Sequence, residues 1–473
     1  MIGGSVVSWL TVGGSVPDIS SKVRGITIRR GRADELDRIN AATISLRVDN
    51  RDGRFDPTYD SGPYGTALDL GAFIHVFVAN ASTSRNLFSG FLWEFPPEWP
   101  VKINDEVVTL GGADHMNNLA RAGYYRNGGR ASEVAGSRIE DVLEQTRGTA
   151  TIFTDIDTGI AILEPIEATA AGGTVTNPVN ALTHIQDVAT TEGGLFYVKP
   201  DGTLRFEERE QRQNIPFKRI AAVFGDAGTA APYYATTTVN SEVYGIGTTV
   251  ELNGNPGTAG VPASGTAIYA GHEITYTLAG TVLTIAGTLS PYLATTGGGT
   301  ILSLESMVFG EIPYQGLDPT YDDTFLTNEW IVTSGAGSAS AIDTGSVDRY
   351  FRRTQSRETL GVSARELNST ANYLLGRTKS PALRFPTITV MPQQTAAINA
   401  LMTVMGLGIS DRVILKRRPP GGRFWRQDCL VEGVGYDITT STIQAQLNLS
   451  PADMTTYWIL GTHALDSTAI VGY

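Results

Sequence analysis

Apolar residues recur with a two-residue period over most of the first 120 positions. Val23, Ile26 and Ile28 begin the pattern, Ile44, Leu46 and Val48 repeat it, and Phe73 to Val78, Phe88 to Phe95 and Val107 to Leu110 follow. Side chains alternate faces along a strand, so this spacing predicts an antiparallel β domain over 1–120. The connectors agree with it. Asn50-Arg51-Asp52-Gly53 reads as a turn in which glycine takes positive φ, and the prolines of Phe95-Pro96-Pro97-Glu98-Trp99-Pro100 cannot donate to a ladder and belong at sheet ends or edges.

The period lengthens afterwards. Ser137-Arg138-Ile139-Glu140 has the form of a capping box ahead of Val142 and Leu143, which predicts a helix over 138–146 ended by Gly148. Asn177 and Pro178 suit the start of a second helix with the stripe Leu182, Ile185, Val188 and Ala189, stopped at Gly193 or Gly194. Leu195 to Val198, Lys199-Pro200-Asp201-Gly202 and Thr203 to Phe206 then read as strand, turn and strand. From about Gly254 to Ser340 the chain turns to Gly, Thr, Ala and Ser with β islands at Ile274 to Leu278 and Thr281 to Ile285, an inserted β element that reads first as surface decoration and second as a binding module. Ser363-Ala364-Arg365-Glu366 repeats the capping-box form before Leu367, Ala371, Leu374 and Leu375, with Gly376 as the stop. Strand patterning returns at Leu383 to Val390, Arg412 to Lys416, Cys429 to Tyr436 and Thr442 to Leu449, with Pro419-Pro420-Gly421-Gly422 at a hairpin tip.

A mainly β protein with an α+β middle region follows. Its expected divisions are 1–120, 121–235, 236–385 carrying the insertion at about 254–340, 386–452, and a tail over 453–473. The length of 473 residues agrees, since one core rarely organises so many.

A net charge of −12 argues against a protein that grips nucleic acid by neutralising its phosphates, though not against a channel past which DNA slides. Cys429, the single cysteine, removes internal disulfides and every multi-cysteine metal site, which fits assembly in a reducing cytoplasm. The first ten residues lack a basic region followed by a long apolar stretch, and no run approaches the roughly 20 apolar residues that span a bilayer, so neither a secretion signal nor stable membrane insertion is expected.

Candidate chemistry is thin. His272-Glu273-Ile274-Thr275-Tyr276 has tyrosine where a zinc protease helix needs its second histidine, and His75, His115, His184 and His463 are far apart in the chain. Cys429 in Asp428-Cys429-Leu430-Val431 reads as a buried strand residue rather than a nucleophile. No nucleophile elbow or Walker loop occurs, and Thr296-Gly297-Gly298-Gly299-Thr300 lacks the lysine and helix that would cradle phosphate. Aligning Gly53 with the sixth place of a calcium loop puts Val48 and Tyr59 at ligand positions neither can fill. Carboxylates are too numerous for spacing to select a hydrolytic pair. No catalytic residue, cofactor or metal is therefore expected. The basic group Arg412, Lys416, Arg417, Arg418, Arg423 and Arg426 marks both arms of one hairpin, either a solvated face or a contact to an acidic neighbouring subunit.

Two stretches are more specific. Arg24-Gly25-Ile26-Thr27-Ile28-Arg29-Arg30-Gly31-Arg32, Glu35-Leu36-Asp37-Arg38 and Ala42 to Asp49 running into Asn50-Arg51-Asp52-Gly53-Arg54-Phe55-Asp56-Pro57 closely resemble the N-terminal signature of minor tail proteins of long-tailed actinobacteriophages. Asp411-Arg412-Val413, the Arg417-Arg418-Pro419-Pro420-Gly421-Gly422 hairpin, Val431-Glu432-Gly433-Val434, Leu447 to Ala452 and Trp458-Ile459-Leu460-Gly461 are similar to the end of the same proteins. Ser137 to Leu143, Glu192 to Phe196 and Asp201 to Leu204 are similar in the same order, which leaves about 254–340 outside the resemblance.

That resemblance implies a tail hub of the baseplate-hub type, with tube-like β-barrels at 1–120 and 386–452. It implies a homotrimer in which two barrels per chain match the hexameric tube on one side and a trimeric tip on the other. The expected partners are the distal tail ring protein, the tape-measure protein and downstream tip or fibre proteins, with DNA only passing through the lumen of a virion tail tip. An acidic lumen would keep phosphate from sticking. The competing expectations are a receptor- or carbohydrate-binding tip component acting through 254–340, a distal tail protein, and a cell-wall hydrolase.

Overall fold

A computed structural model describes residues 7–12, 18–56, 69–80, 83–98, 106–125, 129–147, 152–166, 178–213, 218–226, 233–236, 249–269, 271–286, 306–317, 319–321, 323–392, 398–452, 457–458 and 470–471. Pro57, Tyr59, Trp99, Pro100, Gly148, Asn177, the 296–300 glycine loop, His463 and positions 459–461 lie outside these residues. The protein is mainly β with an α+β middle region and an inserted β element.

Strands β1 (Val7–Val12), β2 (Val23–Gly31), β3 (Asn40–Asp49), β4 (Phe73–Ala79), β5 (Ser84–Glu94), β6 (Pro97–Glu98) and β7 (Val107–Ala113) make the first lobe, in the order β1-β4-β5-β7-β3-β2 with β6 beside β7. Every pairing within it is antiparallel. The two-residue period is the cause: in β4 Ile74, Val76 and Val78 are buried, while Phe73, His75 and Phe77 take the opposite face. Pro97 sits in β6, a short strand that among the described residues pairs with β7 alone, where a missing donor is tolerated.

The middle region follows. It contains α1 (His115–Leu119), β8 (Gly123–Tyr124), β9 (Glu133–Val134), α2 (Ala135–Thr146), β10 (Thr154–Ile156), β11 (Ile162–Leu163), β12 (Val179–Asn180), α3 (Ala181–Glu192), β13 (Leu195–Val198), β14 (Leu204–Glu207) and α4 (Glu210–Gln213). Ile139, Val142 and Leu143 of α2 pack with Ile185 and Val188 of α3 and with Phe196, Leu204 and Phe206 in one core. Gly193, at φ +74, ends α3 as the sequence predicts, but the helix is capped by Asn180, whose side chain accepts from the Thr183 amide at 3.0 Å. The capping box at Ser137 does not form. Helix α2 begins three residues earlier, at Ala135, where the Gly136 amide is satisfied by the Thr158 carbonyl at 2.8 Å.

After β15 (Ile220–Gly225), a six-stranded sheet is built from β16 (Tyr233–Thr236), β17 (Thr249–Glu251), β18 (Ser264–Tyr269), β19 (His272–Ala279), β20 (Val282–Ile285) and β21 (Ser306–Phe309), in the order β16-β21-β18-β19-β20-β17. It has a core of its own around Tyr269, Ile274, Tyr276, Leu283, Ile285 and Phe309. The chain returns through β22 (Ile312–Pro313) and β23 (Gly316–Leu317). A second small unit then joins β24 (Glu329–Ser334), β25 (Gly337–Ile342), α5 (Thr344–Tyr350), β26 (Thr354–Glu358) and α6 (Ala364–Thr378), with Trp330 and Val332 against Leu367, Ala371 and Leu374. The stretch 254–340 is thus divided among the core of the inserted sheet, the core of this small unit and, through Ile312, the core of the large sheet.

The Ser363 capping box is also absent, since Ser363 makes no side-chain cap bond and Glu366 turns toward Arg209. Nor does Gly376 stop α6. The helix continues to Thr378, whose hydroxyl receives the Trp330 indole N–H at 2.9 Å and donates to the Thr327 carbonyl at 2.8 Å.

Strands β27 (Thr387–Val390), β28 (Arg412–Arg417), β29 (Trp425–Thr439) and β30 (Ile443–Pro451), with helix α7 (Ile398–Met405), complete the second lobe. Here β15 pairs in parallel with β28 on one side and β22 on the other, β29 pairs with β28 and β30, and β30 pairs with β27, which pairs with β23. Because β22 and β23 are separated only by Tyr314 and Gln315, the segment 312–317 closes the circuit of strands. A closed barrel leaves few free edges. Its core takes in Ala400, Leu401, Met402, Val404 and Met405 of α7 together with Val413, Val431, Val434, Tyr436 and Leu447.

Candidate assembly site

The two lobes share one 14-stranded sheet, and the join is made by β29. Along one side this long strand keeps β30 as its partner. Along the other it changes partner: residues 425–430 pair with β28, and residues 433–439 pair with β2 of the first lobe, from Gly31↔Gly433 to Gly25↔Thr439. A bulge at Val431 to Gly433 marks the changeover. The two backbones are close there, because a Cβ on Gly31, whose φ is +90°, would lie 2.2 Å from the Glu432 carbonyl oxygen.

Glu432 stands at the changeover with 0% exposure. Arg32, the first residue past β2, places Nη2 2.7 Å from Oε2, and Arg212 of α4 contributes Nη1 at 3.2 Å from the same oxygen. Ser450 of β30 donates its hydroxyl to Oε1. Burial alone would push this carboxyl up, but Arg212 and Arg32 outweigh it and hold the group well below the usual carboxylate range. First lobe, middle region and second lobe therefore converge on one carboxylate. Sequence reading did not single Glu432 out, although a lone charge inside Leu430-Val431-Glu432-Gly433-Val434 was the available signal.

A cavity of about 540 Å³ opens beside this point between α3, β26 and α6. Its walls carry arginines already matched to carboxylates: Arg377 meets Glu35 at 2.5 Å, Arg209 meets Glu192 at 3.1 Å and Arg38 meets Asp187 at 2.7 Å. Such pairing makes the cavity a set of cross-links between elements.

The basic hairpin finds its acidic partners within the chain. Arg412 is buried against Asp428 at 2.6 Å. Lys416 lies 3.7 Å from Glu273 and 3.6 Å from Glu311, Arg417 reaches Asp226 at 2.7 Å, and Arg418 reaches Glu311 at 2.6 Å. Arg426 bridges Glu273 and Asp428, both at 2.8 Å. Arg423 is exposed at the tip beside Phe424. The hairpin thus clasps the inserted sheet through Glu273 on β19, above a small apolar contact of Ile220, Val223, Ile268 and Ile414. Sequence gave no means of pairing Lys416 with Glu273, which lie on different strands of different sheets.

Other candidates are dispersed. His272 pairs with Tyr269 across the β18–β19 ladder, His75 sits 3.1 Å from Asn86, His115 packs on Phe91 and His184 stacks on Tyr124. Burial pushes the Cys429 thiol up, away from reactivity. Among the described residues no three His, Cys, Asp or Glu side chains converge as a metal site, and no helix is long and apolar enough to cross a membrane. The Asn50 to Gly53 segment is a turn held by the Asn50 side chain accepting from the Phe55 amide at 2.8 Å.

No protein-family model and no curated protein matches the chain by sequence. Solved structures do match it in fold. The 43 kDa tail protein of prophage MuSo2 from Shewanella oneidensis superposes with a TM-score of 0.50 at 11% identity, over 94% of this chain and 98% of that one. The likeness is to tail proteins. A tail protein from Neisseria meningitidis MC58 gives the same score and identity, over 94% of this chain and 96% of the other. At such identity the shared property is the fold, and it extends over nearly the whole chain, both lobes and the middle region included.

Proposed function

We propose that this protein is a structural hub of a phage tail tip. Copies form a trimeric ring whose paired lobes meet the six positions of a tail tube or distal ring on one side and a trimeric tip on the other, leaving a lumen for tape-measure protein and then DNA. The observation that carries this reading is the changeover in β29. It fuses two β lobes of one chain side by side in a single sheet, so that one subunit would present two consecutive ring positions. The tail-protein fold of the structural neighbours and the buried, fully cross-linked junction at Glu432 support a load-carrying part over a catalytic one. Imaging the assembled tail tip tests it: three copies around the axis are expected, and six copies or a peripheral fibre position would overturn it.

A second reading assigns receptor or carbohydrate binding to the inserted sheet. It is favoured by that sheet's separate core. Its removal would then abolish adsorption while leaving tails assembled.

A further inference from the structure

Phe351 is held in a backbone conformation that a side chain resists. Its φ is +64° with ψ +163°, a region occupied almost only by glycine. Strain of this kind persists only where surrounding bonds impose it. They do so through Asn328, itself 0% exposed, whose Nδ2 donates to the Phe351 carbonyl at 2.7 Å and whose Oδ1 accepts from the Arg353 amide at 2.7 Å. A buried amide thus clamps the backbone on both sides of the phenyl group.

The clamp does not bury the ring. Phe351 is 84% exposed, so the folded chain gains neither apolar burial nor backbone relief from having phenylalanine there. Glycine would satisfy the backbone without strain. What phenylalanine adds is a rigid apolar knob, and its benefit must arise in a contact outside the single chain. Arg349, Arg352 and Arg353 flank it, all exposed; Arg353 pairs with Asp323, Arg352 lies 3.8 Å from Glu329 and Arg349 lies over the Tyr350 ring, exposed contacts weak enough for a partner surface with an apolar centre and an acidic rim to compete for.

Another copy of the chain offers such a surface. On the first lobe Leu70, Phe73 and Trp93 are 61%, 38% and 36% exposed, and Phe73 packs edge-on against Phe91 on the face turned away from the core. Asp69 and Glu94 adjoin these residues and are exposed. We propose that Phe351 is the anchor of a head-to-tail contact between neighbouring copies, seated on the Leu70, Phe73 and Trp93 patch with its arginines facing Asp69 and Glu94. A contact between unlike surfaces builds a ring when the rotation closes, so the proposal rests on the ring reading and supplies it with an interface.

The experiment is sedimentation velocity on the full chain over a concentration series, with thermal unfolding run in parallel. Phe351→Gly should weaken association by more than about tenfold while leaving the melting temperature at or above that of the parent, because glycine relaxes the strain as it removes the ring. Arg352→Glu should also weaken association, and adding Glu94→Arg should restore it. If Phe351→Gly associates like the parent, the anchor is wrong and the ring reading survives. If Phe351→Gly weakens association but the charge exchange restores nothing, the Leu70 patch is not the receiving surface. If the parent chain stays monomeric at every concentration, the self-contact and the ring reading fall together.

Discussion

Arg212 and Glu432 lie 220 residues apart in sequence and form a buried ion pair at the point where β29 exchanges one lobe for the other. Removing one partner of such a pair leaves the other charge stranded in a low-dielectric site. Glu432→Gln should therefore cost about 3–5 kcal/mol of stability, with both Arg212 and Arg32 uncompensated. Urea unfolding of the two proteins measures the difference.

The same carboxylate sets a pH dependence. Its folded value is depressed below the unfolded value of about 4.3, so its contribution is fully present above that pH and is lost as the pH falls through the interval down to the folded value. The parent should lose stability steeply below about pH 4 in unfolding series, and Glu432→Gln should show a shallower acid limb.

The basic hairpin residues should separate into unequal classes. Arg412 and Asp428 have side-chain exposures of 6% and 4%, so Arg412→Ala should cost about 3 kcal/mol or more. Arg418 is 40% exposed, and Arg418→Ala should cost less than about 1 kcal/mol, falling further as salt is added. Denaturation at low and high ionic strength distinguishes them.

Gly31 cannot accept a side chain. Its positive φ and the nearby Glu432 carbonyl mean that Gly31→Ala must move β2 away from β29, at a cost of more than about 2 kcal/mol. Hydrogen exchange should show lost protection over Gly25 to Gly31 and Gly433 to Thr439 while the β28–β29 ladder stays protected.

Replacing 227–310 with a short glycine-serine linker should leave both lobes folded, since the inserted sheet has its own core. The variant should be less stable, because Ile220, Val223 and Ile414 lose their cover of Ile268 and Val308. Circular dichroism and thermal melting of the purified protein report both effects.

Much of the β architecture was legible because its cause is local. Two-residue alternation in β3 and β4, the Gly202 turn and the Gly421 hairpin tip all arise from residues within a few positions of one another. Helix α7 left no such trace: the buried Ala400, Leu401, Met402, Val404 and Met405 surround it with apolar side chains, and a helix covered on most sides loses the polar face that would reveal its period. The false capping boxes fail for a related reason. At α2 a distant carbonyl already satisfied the amide, and at α6 Arg209 drew the glutamate away. The Glu432 junction depends on contacts among β2, α4 and β30, which no local spacing encodes.

The seam between the lobes also sets a timetable for making the protein. Arg29 and Asp437, paired across it, are 408 residues apart. At synthesis rates of about 5–20 residues per second β2 waits roughly 20–80 s before β29, its second neighbour, leaves the ribosome. During that interval the first lobe carries an open β edge, a template for pairing with the wrong chain. The seam therefore acts as a completeness check: a chain cut short before β29 cannot close its sheet and should be lost to aggregation or proteolysis.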